Sequence, residues 1–215
     1  MKKIYISKDA NQILKSYLES KGYRLEEVSS QDIVDPAISC HPDVFYCKLG
    51  IGDEAPLVHA YEEELGCGYP AEAAFNAACT GRYFIHNLKI THPRLLESAR
   101  CAGMELIHVP QGYSKCSTVI VDEQSIITYD RGIARACKAV QDLDVLLVAP
   151  GHVLLPGYST GFIGGCSGRI ENEIIFNGDL SAHPNFQEIR AFIENHGLTC
   201  TWFEDYPLTD IGSIL

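Results

Sequence analysis

Asn76, Cys116 and Cys166 each open a stretch with the same order of signals, and they lie 40 and 50 residues apart. A recurrence of that length is what several copies of one supersecondary unit leave in a sequence. The clearest copy runs from Lys115 to Val148. It predicts a strand over Cys116–Val121, a turn at Asp122-Glu123, and a second strand over Ser125–Thr128. A helix around Gly132–Val140 follows, with Ile133, Ala136, Cys137 and Val140 on one face. Asp144–Val148 then reads as a buried strand, because its apolar run is unbroken.

The stretch from Phe162 to Phe203 repeats this order: strand Gly165–Ile170, strand Ile174–Phe176, a helix carrying Phe186, Ile189, Phe192 and Ile193, then strand Leu198–Phe203. Gly197 marks the end of that helix. A third copy holds Asn76–Cys79, Tyr83–His86, a helix over Pro93–Ala102 and the strand Glu105–Val109. A fourth start fits His41–Cys47, although 50–75 resists assignment. The chain begins with strand Lys3–Ile6, helix Asp9–Lys21 and strand Tyr23–Val28, and it finishes on Asp210–Leu215, which reads as an opening strand. Joining the two ends makes a fifth unit. The expected fold is therefore a single α/β domain over 1–215, a closed five-fold pseudo-symmetric ring of degenerate ββαβ units. Those units are 210–215 with 1–28, then 41–68, 75–109, 115–148 and 163–203, and closure by the C-terminal strand leaves no sheet edge exposed. An ordinary open α/β sheet is the alternative.

A net charge of −11 argues against nucleic acid or an anionic membrane as partner, since phosphate binding needs clustered Lys and Arg. No apolar run reaches the ~18 residues of a membrane span. Met1-Lys2-Lys3 leads straight into Ile4-Tyr5-Ile6, so no secretory leader is expected. The nine scattered cysteines then read as reduced cytoplasmic thiols, mostly small core residues. No zinc spacing, phosphate loop or dinucleotide fingerprint occurs, so neither metal nor cofactor is expected.

A five-fold ring of such units resembles the pentein fold, the α/β propeller of guanidino-group-modifying enzymes. More closely, His41-Pro42-Asp43, Tyr69-Pro70 with Asn76, Gln111–Ser117 and Gly161–Gly165 are similar to an uncharacterised bacterial family assigned to that fold. The resemblance implies a small planar cation as ligand, gripped by carboxylates and attacked by a Cys thiolate, with a His as acid/base. It also implies a nucleophile near the C-terminus, where this chain has Asp210-Ile211-Gly212-Ser213 and no Cys after Cys200. That nucleophile does not carry over. A ribosome-binding factor shares the ring without being an enzyme, so fold alone leaves catalysis open.

In such a ring the first residues of the opening strands meet at one mouth. There Cys116, His41 and Asp43 are the catalytic candidates, and Asn76, Lys115, Cys166 and Asp210 the ligand-binding ones. His41 precedes Pro42, which favours extended backbone, so His41 and Asp43 are expected on one side as an acid–base pair or in a surface turn. Lys115 and Cys116 alternate on a strand, so only one should face the site without a bulge. Each thiol has a core reading beside the functional one. Two functions stay open: a C–N hydrolase with Cys116 as nucleophile, and a binding protein without one.

Overall fold

Local caps start the helices. In the computed structural model, which describes residues 2–215, β1 (Lys3–Ser7) leads to α1 (Gln12–Ser20) and β2 (Arg24–Val28). Asn11 accepts from Ile13 N at 2.9 Å and so caps α1. α2 is a four-residue helix, Pro42–Phe45, with Pro at its first position, followed by β3 (Tyr46–Lys48) and β4 (Leu57–His59). Next come β5 (Ala78–Cys79), β6 (Tyr83–His86), α3 (Pro93–Cys101) and β7 (Glu105–His108). The sequence then repeats as β8 (Thr118–Asp122), β9 (Ser125–Thr128), α4 (Arg131–Lys138) and β10 (Asp144–Leu147). β11 (Ser167–Ile170), β12 (Glu173–Phe176), α5 (Phe186–Asn195) and β13 (Thr199–Thr201) complete the chain. Gly197, just beyond α5, takes φ +75°, the left-handed conformation that ends a helix cheaply only at glycine.

In each of the last three groups the first two strands pair antiparallel and the helix returns the third strand parallel to the second. The fold is mixed α/β, but the expected closed five-fold ring is not formed. Among the described residues the strands pair within five separate sheets of two or three strands, and no ladder joins one sheet to the next. Two groups fall short of the unit for physical reasons. β1 and β2 are a bare parallel pair bridged by α1. β3 and β4 are an antiparallel hairpin, followed by a segment whose Gly66, Gly68 and Pro70 support neither a helix nor a returning strand. The C-terminal segment is not a strand either. Gly212 and Ser213 turn to φ +70° and +73°, leaving only Leu215 to exchange two backbone hydrogen bonds with Tyr5, at 2.9 and 3.1 Å.

Apolar faces of neighbouring sheets share cores. Val119 and Ile127 pack with Ile174, Phe176 and Ile189, while Ile120 and Ile126 pack with Tyr83 and Ile85. Among the described residues no helix is long and apolar enough to cross a membrane.

Candidate functional site

β8 begins two residues later than the sequence predicts. Residues 114–117 form a turn, closed by Ser117 N donating to Tyr113 O at 3.0 Å and Thr118 N to Lys115 O at 3.0 Å. Strand alternation therefore does not separate Lys115 from Cys116, and both reach one buried cluster. Cys116 Sγ donates to Asp43 Oδ2 at 3.0 Å. Ser213 Oγ donates to the same carboxylate oxygen at 2.6 Å and accepts from Lys115 Nζ at 2.8 Å. Thiol, carboxylate, hydroxyl and ammonium thus form one continuous hydrogen-bonded chain.

His41 keeps extended backbone but caps α2, so Asp43 lies in a helix rather than in the expected extended segment. Asp43 N donates to Gly212 O at 3.0 Å, which fixes the C-terminal segment over α2. His41, Asp43 and Cys116 still converge, offering nitrogen, oxygen and sulfur atoms all within 4.8 Å of one another. Asp43 Oδ1 and His41 Nδ1 are buried and have no hydrogen-bond partner among the described residues. Buried polar atoms are nearly always satisfied, so two unpartnered ones side by side set this cluster apart. Asp210 lies beside them, its Oδ1 3.8 Å from His41 Nδ1. Phe162 N and Gly212 N donate to its two oxygens at 2.9 and 3.0 Å. Gly165 makes room for it: a Cβ there would stand 2.0 Å from Asp210 Oδ1.

Burial sets the charges. It pushes the Cys116 thiol well up, with Asp43 and Asp210 adding to the effect, so the resting sulfur is protonated. The resemblance implies an attacking thiolate, and burial together with the two carboxylates holds the resting group as a thiol instead. Burial raises Asp210 to about 6, against its two backbone donors. It lowers Lys115, opposed by Asp43. It also lowers His41, favouring the neutral imidazole. Two carboxyl groups therefore face one ammonium.

The cluster opens into a cavity of about 80 Å³ walled by His41, Cys116 and Asp210 with Tyr113, Phe162 and Leu155. A wider cleft of about 560 Å³ shares His41, Leu155, Tyr158 and Asp210 with it and adds Asp9 and Asp35. Two expected ligand-binding residues do other work. Asn76 is saturated: its Oδ1 accepts from Lys115 N and Cys116 N at 2.9 and 3.1 Å, and its Nδ2 donates to Asp43 O and Cys116 Sγ at 3.0 and 3.3 Å. It clamps two segments together and has nothing left for a ligand. Cys166 donates to Ile163 O at 3.1 Å and packs among Val119, Ile174 and Phe176, so it is a core thiol. The residue missed in the sequence is Ser213. Its signal was its place in the C-terminal motif, but a serine there reads as a lost nucleophile until its left-handed φ and its partners are seen.

The donor set of His41, Asp43 and Cys116 also suits a divalent transition metal, provided the thiol loses its proton. Residues 53–215 match a family described as "Family of unknown function (DUF6873)". The chain belongs to that family. The matched stretch contains Asn76, Lys115, Cys116, Asp210 and Ser213, whereas His41 and Asp43 precede it. No curated protein and no solved structure matches the chain. Within this DUF6873 member, then, the site joins the matched stretch, which carries the thiol, to the N-terminal 52 residues, which carry the acid–base candidates.

Proposed function

We propose that the protein binds a small planar cation of the guanidino or amidino class in the Cys116 cavity and hydrolyses one of its C–N bonds. The observation that carries this reading is the pair of unpartnered buried atoms, Asp43 Oδ1 and His41 Nδ1: His41 walls the small cavity with Cys116, and Asp43 is bonded to that thiol just behind the wall. A planar N–H donor fork suits a carboxylate edge, and a set of two carboxyl groups against one ammonium favours a cation. The inner cavity takes only a head group, since a water's share of liquid volume is ~30 Å³. The rest of such a ligand lies in the wider cleft, where Asp9 and Asp35 suit a second positive group.

The resting thiol is compatible with this chemistry because the ligand supplies the missing positive charge. With the cation bound, Cys116 Sγ–H passes its proton to Asp43 Oδ2 as sulfur attacks the amidinium carbon. The C–N bond breaks and the departing nitrogen leaves as an amine or ammonia, taking that proton from Asp43. His41 then accepts a proton from a water that adds to the S-linked carbon, and sulfur leaves and regains its proton from His41. One water is consumed, one amine is released, and no oxidant or cofactor enters.

The competing reading, a non-catalytic binder, draws on the height of the thiol pKa and on the Asn76 clamp that holds the sulfur. In both readings the partner is a small molecule. The net charge of −11 supports that over nucleic acid or a membrane. All nine cysteines are free, which supports a reducing compartment such as the cytoplasm.

Incubation with a panel of guanidino and amidino compounds, scoring ammonia or amine release with and without a chelator, tests the reading. Turnover insensitive to chelator, lost in Cys116→Ala while binding survives, and lost with binding in Asp43→Asn, is the expected result. Binding without turnover by any compound turns the reading to the binder. Turnover abolished by chelator and restored by zinc assigns the cluster to a metal.

A further inference from the structure

A second cavity, of about 40 Å³, shares no lining residue with the Cys116 cavity. It lies among β3, β5, β8 and β11, and its wall includes Lys48, Lys115 and Arg169. No aspartate or glutamate lines it among the described residues. The chain carries 28 acidic against 17 basic residues, so a wall with three cationic side chains and no acidic side chain runs against its composition. Such a wall costs free energy unless something negative occupies it.

The three cations differ in what already holds them. Lys48, at the end of β3, has no side-chain hydrogen bond to its ammonium among the described residues. Burial is the chief influence and lowers it, Asp53 raises it in part, and the Lys115 ammonium adds a smaller lowering. Arg169 spends Nε on Glu171 O at 3.1 Å and Nη1 on Val121 O, which leaves its other terminal nitrogen uncommitted. Burial, the chief influence on it, works against its charge. Lys115 already gives its ammonium to Ser213, so it contributes field rather than a free donor.

We propose that this cavity is a binding site for a compact inorganic oxyanion of the phosphate class, held by Lys48 and Arg169 with Lys115 behind them. A guanidinium edge and a flexible ammonium together supply the directed donors and the point charge that oxyanions take. The small volume excludes a nucleoside or an acyl chain. Lys115 links this wall to the Cys116 cluster, but Lys48 and Arg169 take no part in that cluster, and the test does not depend on turnover.

Equilibrium dialysis with labelled inorganic phosphate at low ionic strength should show saturable binding, weakened tenfold or more in Lys48→Met and in Arg169→Gln. Phosphate should raise the melting temperature above that in chloride of matched ionic strength. Lys48→Met without phosphate should melt no lower than the wild type, because the cost of burying its ammonium is gone. In the wild type itself, phosphate should slow acylation of Lys48 by an active ester while leaving exposed Lys89 unaffected; this arm needs no variant to fold. Absence of saturable binding in the wild type, or wild-type affinity in both variants, overturns the proposal, as does acylation of Lys48 at an unchanged rate in saturating phosphate.

Discussion

Cys116 and Cys166 begin as near-equivalents. Each is a buried thiol in the turn that opens an antiparallel pair, and the two turns are bonded to each other through Gly165 N and Cys116 O at 2.8 Å. Their surroundings then diverge. Cys166 satisfies its hydrogen locally at Ile163 O and faces apolar side chains. Cys116 meets Asp43 from α2 and Asn76 from the turn before β5. The same residue type in the same place in a repeat becomes packing in one copy and chemistry in the other. What differs is which distant segment covers it.

Removing the clamp should break that distinction most severely. Asn76→Ala leaves Cys116 N and Asp43 O, both buried, without their side-chain partner, while Lys115 N keeps its bond to the backbone O of residue 76. At ~1–3 kcal/mol for each unsatisfied group, we expect a loss of at least about 2 kcal/mol in chemical denaturation. A loss under about 1 kcal/mol would mean that the turn holds Cys116 in place unaided.

The next effect separates the sites by pH. Asp210 binds its proton more tightly folded than unfolded, so its contribution weakens the fold as pH rises from about 4 through about 6. His41, lowered by burial, acts oppositely, its contribution being lost as pH falls below the usual histidine value near ~6.5. Asp210→Asn should therefore gain on the wild type by roughly 2–3 kcal/mol between those limits. Denaturant titrations giving a pH-independent difference would show that Asp210 is not desolvated as its burial implies.

Truncating the thiols is a milder comparison. Cys166→Ala should cost about 1–2 kcal/mol through lost packing. Cys116→Ala should cost more than Cys166→Ala, because losing the sulfur also takes a donor from the Asp43 carboxylate and an acceptor from the Asn76 amide. Equal losses would make both of them core thiols. The smallest effect is kinetic: a bound amidine should speed iodoacetamide labelling of Cys116 about tenfold or less by favouring the thiolate, and leave Cys166 inert. Acceleration of both would report general loosening instead.

Much of the local order was legible in the sequence. Strand alternation, the turn at Asp122-Glu123 and the glycine after α5 are short-range signals, and β6, β9 and β12 fall within a residue of their expected places. The convergence of Cys116, His41 and Asp43 was also legible, because the openings of repeated units gather together. The closed ring was not secured by those signals. It required every segment to complete the unit, and the glycine- and proline-rich stretch after β4 and the left-handed Gly212-Ser213 do not. Local propensity likewise placed Cys116 on a strand, whereas contacts with residues far off in the chain hold it in a turn.

What the sequence determined by itself is therefore the periodic α/β grammar and the acidic charge balance, since both depend on residues a few positions apart or on simple sums. The tertiary structure alone decided that Ser213 and Lys115 join Asp43 and Cys116, that Asn76 is a clamp, and that Cys166 is packing. Those roles rest on contacts spanning up to 170 positions. The protonation of Cys116 was decided there too, because desolvation and the approach of two carboxylates exist only once the chain has folded.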